Sequence, residues 1–393
     1  MIKREKYLVA IRPFYDSDVI KVITGIRRCG KSVLLSDVRR ELQAKTDNIV
    51  ALDFEDVANQ MLLPDATALL DYVTKHRREG RCYVFLDEIQ RVADWEQACR
   101  TLRVRDCSVF ISGSNSQLLS GEFVKELSGR YVSLRIYPFV YRELAEYAQE
   151  LGKNVSLTDY LIWGGFPKRL EFDGLDAQKA YLRDLNETIV VNDVINRYGI
   201  RKKEEFIRIA NFVFLSNARV FSARSVVRAM RDTGLDCSVS TVINYLSYLQ
   251  EAFVVEAVKL YSAKAKRELT YYQKMYNEDV ALGSIRVQGK RFDITHNFEN
   301  IVWHELRYRG YQLYAYNDGG REIDFIAIKG NKKYYVQVAY SVAEEKTYER
   351  ELSAFATLDN SVAKILITND DTDFSTSTVR HMSLSELVEV EEL

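Results

Sequence analysis

An α/β fold built on a parallel sheet is predicted for the first part of this chain by three observations. Short apolar runs recur at strand length, at residues 21–24, 49–54, 82–86 and 108–112. Stretches of helical period separate the first of them, at Ser32 to Val38 and Asp65 to Arg78. The first strand also ends in a glycine-bounded turn that opens directly into a helix. Strand, crossover helix and strand in alternation is the pattern of parallel βαβ units.

The turn is Gly25-Ile26-Arg27-Arg28-Cys29-Gly30-Lys31-Ser32, and it fits GxxxxGK[ST], the Walker A or P-loop pattern. Gly25 and Gly30 let backbone amides come close to phosphate oxygens, and the helix that follows presents its positive end. Lys31 is a mobile charge able to reach β- and γ-phosphates, and Ser32 offers a hydroxyl to Mg2+. Gly25, Ile26, Arg27, Arg28, Cys29, Gly30, Lys31, Ser32 and Val33 are therefore the expected nucleotide contacts. Cys29 reads as a small loop residue.

Ile49 to Phe54 follows as the second strand. The helix Asp65 to Arg78 carries Leu69, Leu70 and Val73 as its buried stripe. Cys82-Tyr83-Val84-Phe85-Leu86 is a third strand, ending in Asp87-Glu88, the Walker B pattern. Asp87 is expected to hold the metal and Glu88 to position the attacking water, because phosphoryl transfer depends on placement and charge. Ser108 to Ser112 is a further strand running into Gly113-Ser114-Asn115-Ser116.

Composition sets the frame around these motifs. The chain has 393 residues, 47% of them hydrophobic and 28% charged, enough for about two to four domains with ample core. A net charge of -1 gives no bulk attraction to nucleic acid, so any basic patch must be local. No apolar run approaches the ~20 residues that span a bilayer, and Met1 to Lys6 lacks the apolar core of a signal peptide. Five cysteines without CxxC spacing read as free thiols in a reducing cytoplasm, and four scattered histidines exclude a His/Cys metal motif. No membrane partner is expected.

Several strings in order resemble one family. These are Ile23 to Ser32, Phe85-Leu86-Asp87-Glu88-Ile89-Gln90, Ile111-Ser112-Gly113-Ser114-Asn115, Leu127-Ser128-Gly129-Arg130-Tyr131, Tyr137-Pro138-Phe139 and Gly164-Gly165-Phe166-Pro167. Together they are similar to a prokaryotic AAA+ family, the archaeal-type AAA ATPases fused to a C-terminal domain of unknown function, over nearly the whole chain. The resemblance implies ATP with Mg2+, and no Asn-Lys-x-Asp guanine-recognition string occurs. It gives the strand end at Ser114 or Asn115 the sensor 1 position, with both residues qualifying. It makes Arg130 the candidate arginine finger or sensor, a role usually played across a subunit interface, which implies a homo-oligomer. The other reading of Arg130 is a structural residue capping a helix. Arg27 and Arg28 are less suited to be fingers, and Arg169 is a weaker candidate for a second sensor.

The remaining chain is read as three further regions. The ATPase module spans 1–150, a helical lid or linker 151–200, a winged-helix-like domain 201–275, and a nuclease-like domain 276–393. A long helix is expected over Gln178 to Tyr198. Helices at Glu204 to Leu215, Ser222 to Arg231 and Ser240 to Gln250, then a strand at Ala252 to Val258, follow the winged-helix order, which can place a third helix in a DNA groove. Lys259, Lys264, Lys266, Arg267 and Lys274, with Tyr261, Tyr271 and Tyr272 among them, form a local basic cluster. DNA and protein are both candidate partners.

Farther on, a helix from Phe298 to Arg309 carries Glu299 and Glu305, a strand from Arg321 to Ala327 carries Asp324, and its neighbour is Tyr334 to Ala339. That is the layout of the PD-(D/E)xK nucleases, whose acids hold Mg2+. Here Gln337-Val338-Ala339 stands where Glu-x-Lys belongs, so a degenerate, inactive domain is expected. The chain is thus read as an ATPase whose turnover moves C-terminal DNA- or protein-binding domains. The alternatives are an ATP-regulated metal-dependent nuclease, opposed by Gln337 and Ala339, and a non-hydrolysing nucleotide-gated binding protein, opposed by Glu88.

Overall fold

The computed structural model describes residues 2–119, 127, 129–261, 273–287, 289, 291–318, 321–356 and 358–393. They form two compact units, Met1–Pro138 with Glu251–Phe253, and Phe139–Gln250 with Val254–Leu393.

The first unit is built on five strands, β1 (Ile20–Thr24), β2 (Ile49–Asp53), β3 (Cys82–Asp87), β4 (Cys107–Gly113) and β5 (Tyr131–Arg135). Their order is β2-β3-β4-β1-β5, and every pairing is parallel. β1 and β4 are buried along their whole length, as central strands covered on both faces must be. On one face Val22, Leu52, Val84, Leu86 and Ile111 pack with Leu69 and Val73 of the helix Ala66–His76 and with Ala98 and Leu102 of Trp95–Val104. Elsewhere Phe85 stacks on Phe110 with centroids 4.7 Å apart. The helix Ala66–His76 starts where the Asp65 carboxylate accepts from the Ala68 amide at 2.8 Å.

Parallel pairing brings the C-terminal ends of β1, β3 and β4 to one edge of the sheet, where ligands of open α/β sheets bind. The helix Lys31–Gln43 leaves β1 at that edge. β5 and the helix Trp95–Val104 lie outside the elements read from the sequence.

The second unit begins with the helices Tyr141–Glu150, Leu157–Trp163 and Leu175–Thr188. The first of these falls within the 1–150 module expected from sequence, yet it packs with the second unit. The Tyr141 amide donates to Glu305 Oε1 at 3.2 Å, and Tyr308 donates its hydroxyl to Glu143 at 3.1 Å. The long helix expected to Tyr198 changes character at Ile189 and runs as a π-helix to Asn196. Ile189 and Val194, and Val190 and Ile195, are all buried, and this spacing of five suits the wider π turn.

After the helix Lys203–Leu215 come β6 (Arg219–Phe221), the helices Ala223–Asp232 and Val239–Glu251, β7 (Val255–Val258) and β8 (Gln273–Asn277). The three strands form an antiparallel sheet in the order β6-β8-β7. The strand expected from Ala252 starts only at Val255, after Phe253 takes a left-handed φ of 55°.

The helix Ile294–Tyr308 precedes a second five-stranded sheet: β9 (Gln312–Asp318), β10 (Arg321–Lys329), β11 (Lys332–Val338), β12 (Ala363–Thr368) and β13 (Val379–Ser383). β9, β10 and β11 are antiparallel neighbours, and β12 and β13 continue the sheet in parallel. No helix among the described residues is long and apolar enough to cross a membrane.

Candidate functional site

The phosphate loop occupies the turn between β1 and the helix Lys31–Gln43. Gly25 has φ +151°, and a Cβ there would lie 2.3 Å from the Ile136 carbonyl oxygen, so a side chain cannot be fitted beneath the loop. Gly30, at φ +104°, starts the helix. Ile26 and Cys29 are buried, Val33 is half-buried, and Arg28 is exposed. Arg27 pairs with Glu55 at 3.0 Å, which suits a solvated residue better than a finger. Arg4 holds the loop from below, donating to the Cys29 carbonyl at 3.2 Å and the Tyr137 carbonyl at 2.9 Å. That anchor lies 25 residues from Cys29 and has no local signature.

Lys31 is buried and folds back over its own loop. Its ammonium donates to the carbonyls of Gly25 and Ile26 at 3.2 Å each and stands 3.7 Å from Glu88 Oε1. β3 delivers Asp87 and Glu88 to the same edge. Ser112, on the neighbouring strand β4, accepts from the Glu88 amide at 3.2 Å and donates its hydroxyl to Asp87. Burial pushes the Asp87 carboxyl above the usual range, against hydrogen bonds from Ser112 and Ser32. Ser32, the other expected metal ligand, is thus near enough to favour the charged form of Asp87.

Glu88 has a left-handed backbone, φ 54°. Its Oε2 accepts from Gln90 Nε2 and from Ser114 Oγ at 3.4 Å. Of the two residues that share the strand end in the sequence, Ser114 is thus hydrogen-bonded to the catalytic candidate. Asn115 is buried at the same strand end. Ser112 and Gln90 were not singled out in the sequence. Gln90 carried a local signal, a glutamine two residues past the acid, whereas the role of Ser112 depends on β4 lying beside β3.

Arg130 is placed elsewhere. It is exposed, and its carbonyl accepts from the Ile20 amide at 2.9 Å. β5 then pairs Tyr131 with Ile20 and Arg135 with Thr24, so Arg130 lies at the end of the strands opposite the phosphate loop. It makes no contribution to the site of its own unit. Arg169 is also not a surface residue: it is fully buried in the second unit, held by Asp159 at 2.6 Å, Gln178 at 2.9 Å and the Gly164 carbonyl at 3.2 Å. Its Nε has no hydrogen-bond partner among the described residues but is buried with the rest of the side chain. The Gly164-Gly165 turn nearby is shaped around Asp279, which accepts from the Gly165 amide at 2.7 Å and sits where a Gly164 Cβ would be.

The second unit holds a cavity of about 550 Å³ lined by Lys274, Glu299, Glu322, Asp324, Gln337 and Glu351, among others. Asp324 and Glu299 meet there. Glu305 does not join them; it is paired with Arg309 at 2.5 Å. Lys274 is 5% exposed and enclosed by acids, so it leaves the basic cluster proposed for DNA. Lys264, Lys266, Arg267, Tyr271 and Tyr272 of that cluster lie outside the described residues. Burial opposes the Lys274 ammonium, but the charges of Asp324, Glu299 and Glu322 outweigh it and raise its pKa. Burial, reinforced by the Asp324 charge, pushes Glu299 up to about 8.

Comparison with known proteins gives three family matches along the chain. An AAA domain covers residues 17–145, and two families described as Domain of unknown function (DUF8612) and Domain of unknown function (DUF4143) cover 154–289 and 295–387. An "Uncharacterized protein" of Haemophilus influenzae is 32% identical over 379 residues, 94% of this chain and 93% of the relative. Another uncharacterized protein, from Methanocaldococcus jannaschii, is 28% identical over 378 residues, 90% of this chain and 82% of the relative. Among solved structures, the Walker-type ATPase of Pyrococcus abyssi covers 73% of this chain and 96% of its own at 15% identity and a TM-score of 0.49. AMPPCP-bound DnaA from Aquifex aeolicus covers 63% and 86% at 15% identity and a TM-score of 0.33.

Proposed function

Because this chain belongs to the same family as the Haemophilus influenzae relative and carries an AAA domain, we propose that it binds ATP with Mg2+ at residues 25–33 and hydrolyses the γ-phosphate. The observation that carries this reading is the convergence of Lys31, Ser32, Asp87 and Glu88 at one edge of the parallel sheet.

The residues present fit the nucleotide and its metal. The Thr24 Oγ1 and Gln90 Oε1 atoms are buried without a hydrogen-bond partner among the described residues, as expected of polar groups lining a ligand site. Ser32 and Asp87 would hold Mg2+, which takes few protein ligands and completes its shell with phosphate oxygens and water. The absence of any larger His, Cys, Asp or Glu cluster among the described residues accords with this. Mg2+ held there would supply positive charge to neutralise the phosphates.

The chain's own groups supply the rest. Lys31 exchanges two loop carbonyls for phosphate oxygens, a charge-assisted bond in place of neutral acceptors. Ser112 fixes Asp87 and the Glu88 backbone, so the two acids are oriented before ligand arrives. Glu88 accepts a proton-bearing water's hydrogen bond while Gln90 and Ser114 steady its other oxygen. The Ser114-Asn115 strand end senses the γ-phosphate, and Arg130, turned away from its own loop, serves a neighbouring subunit's site in a homo-oligomer.

Turnover would drive conformational change in the second unit. The order helix, strand, helix, helix, strand, strand, with the sheet β6-β8-β7, supports a winged-helix reading of residues 201–275. Its third helix, Val239–Glu251, carries no lysine or arginine, so phosphate contact of the kind that dominates DNA affinity has little support there. A protein partner is the better reading. The nuclease-like reading of 276–393 is supported by Asp324 and Glu299 sharing a cavity, and the lack of activity by Gln337. The five cysteines are free thiols, in keeping with the cytoplasm.

The test is ATP turnover by the full chain with Lys31→Ala and Glu88→Gln controls, with and without DNA. Turnover lost in both variants is expected. ATP bound by the wild type without turnover overturns hydrolysis and favours a nucleotide-gated binding protein.

A further inference from the structure

We propose that the Lys274 ammonium is a built-in cation taking the place of a divalent metal in the acidic pocket of the second unit, so that the native pocket is metal-free and ties two sheets together. This deepens the reading of residues 276–393 as a non-cleaving nuclease-like domain, but it stands on the pocket's own geometry.

Lys274 comes from β8 of the three-stranded sheet, while its partners come from the helix Ile294–Tyr308 and from β10. Its Nζ lies 2.7 Å from Glu299 Oε1, 2.7 Å from Asp324 Oδ1 and 3.5 Å from Glu322 Oε1. Three carboxylates from two elements thus converge on one ammonium, which has three hydrogens to give. The pair formed with Glu299 and Asp324 is buried, the side chains of all three being at most 13% exposed.

Two of these oxygens carry further bonds. Asp324 Oδ2 accepts from the Val338 amide at 3.0 Å, and Glu299 Oε1, the oxygen that faces Lys274, also accepts from the Tyr276 hydroxyl at 2.5 Å. Mg2+ or Mn2+ is held through one or two carboxylates, with water completing a near-octahedral shell, and here the ammonium stands 2.7 Å from the Glu299 and Asp324 oxygens that would serve. No group of three or more His, Cys, Asp or Glu side chains among the described residues is arranged to hold a metal.

Gln337 belongs to the same substitution of lysine for metal. Its Nε2 donates to Glu351 Oε2 at 2.8 Å, and its Oε1 accepts from the Asp324 amide at 3.3 Å. A carboxylate at 337 would face Glu351 with like charge, and a divalent ion would be needed to offset the excess. With one ammonium set against Glu299, Glu322 and Asp324, a neutral amide at 337 adds no further negative charge. Gln337 and Lys274 thus meet at the same residue, the first through the Asp324 amide and the second through its carboxylate.

The experiment uses the full chain without nucleotide, titrated with Mn2+ by electron paramagnetic resonance and by thermal melting. The wild type is expected to bind no Mn2+ in a manner sensitive to Asp324→Asn. Lys274→Met is expected to gain one Mn2+ and a Mn2+-dependent rise in melting temperature, both lost when Asp324→Asn is added. Mn2+ bound by the wild type and released by Asp324→Asn overturns the proposal, and this arm needs no lysine variant to fold. A Lys274→Met variant with native circular dichroism that binds no Mn2+ overturns it as well. The outcome is separable from the non-cleaving reading, because an absence of DNA cleavage leaves the metal titration free to go either way.

Discussion

Glu88→Gln exchanges one carboxylate oxygen for an amide while keeping the side chain's size, so it tests charge and proton acceptance rather than packing. Removing the group that positions and polarises the water should cost ~10²- to 10⁴-fold in turnover. Binding should move the other way. In the structure Lys31 Nζ stands 3.7 Å from Glu88 Oε1, an attraction that ATP must share. Coulomb's law gives about 1 kcal/mol at this distance with water-like screening and about 4 kcal/mol at an effective dielectric near 20. Because desolvation offsets most of the larger figure, the lower value is the usable one. It corresponds to about fivefold tighter ATP binding in the variant. The assay pairs phosphate release at saturating ATP with a fluorescent-nucleotide titration. A variant that turns over within tenfold of wild type, or that binds ATP tenfold more weakly, refutes the assignment of Glu88.

Other perturbations read different parts of the molecule. Gly25→Ala places a methyl 2.3 Å from the Ile136 oxygen and 2.8 Å from Cys29 Sγ; nucleotide binding should fall by more than tenfold, with a loss of about 2 kcal/mol in urea unfolding. Arg169→Ala strips the buried partner from Asp159 and should destabilise the second unit by about 3–5 kcal/mol, while ATP affinity stays unchanged. Glu299 has a native pKa near 8, above its ordinary 4.5, because of burial and then the Asp324 charge. The native state therefore holds the proton longer than the unfolded chain, so stability is full below about pH 4.5 and is lost as pH rises toward 8. Melting temperature should fall between about pH 4.5 and pH 8 in the wild type, and Glu299→Gln should flatten that fall.

What could be read from the sequence was what the chain writes locally. Gly25 to Ser32 is a contiguous string whose glycine positions follow from sterics alone, and Asp87-Glu88 is visible because a strand of apolar residues stops there. Ser112 could not be assigned in this way, since its role depends on β4 lying beside β3, a pairing set by tertiary structure. Arg130 illustrates the same point in reverse. Its neighbours in sequence suggested a finger acting across a subunit interface, and only the β5 register shows that it lies at the end of the strands away from its own loop. Arg169 followed a turn and read as a weak candidate for a second sensor, whereas Asp159 and Gln178 enclose it. Lys274 is 50 residues from Asp324, and no periodicity links β8 to β10.

The two lysine–acid sites use the same chemistry to opposite ends, and the difference is in how far each is satisfied. At the phosphate loop, Lys31 rests on carbonyls at 3.2 Å and an acid at 3.7 Å, and Thr24 Oγ1 and Gln90 Oε1 are left without partners among the described residues. Long contacts and unmet polar atoms are what an incoming anion can improve, because a charged acceptor outbids neutral carbonyls and an unmet buried group costs about 1–3 kcal/mol until it is paired. At the acidic pocket, Lys274 is held at 2.7 Å by two carboxylates, and the facing oxygens of Asp324, Glu299 and Gln337 are already bonded. A ligand entering there would have to break a buried ion pair, which leaves an uncompensated charge at a cost of about 3–5 kcal/mol. Ligand-dependent behaviour in this chain therefore belongs at the phosphate loop, and the acidic pocket acts as a fixed joint.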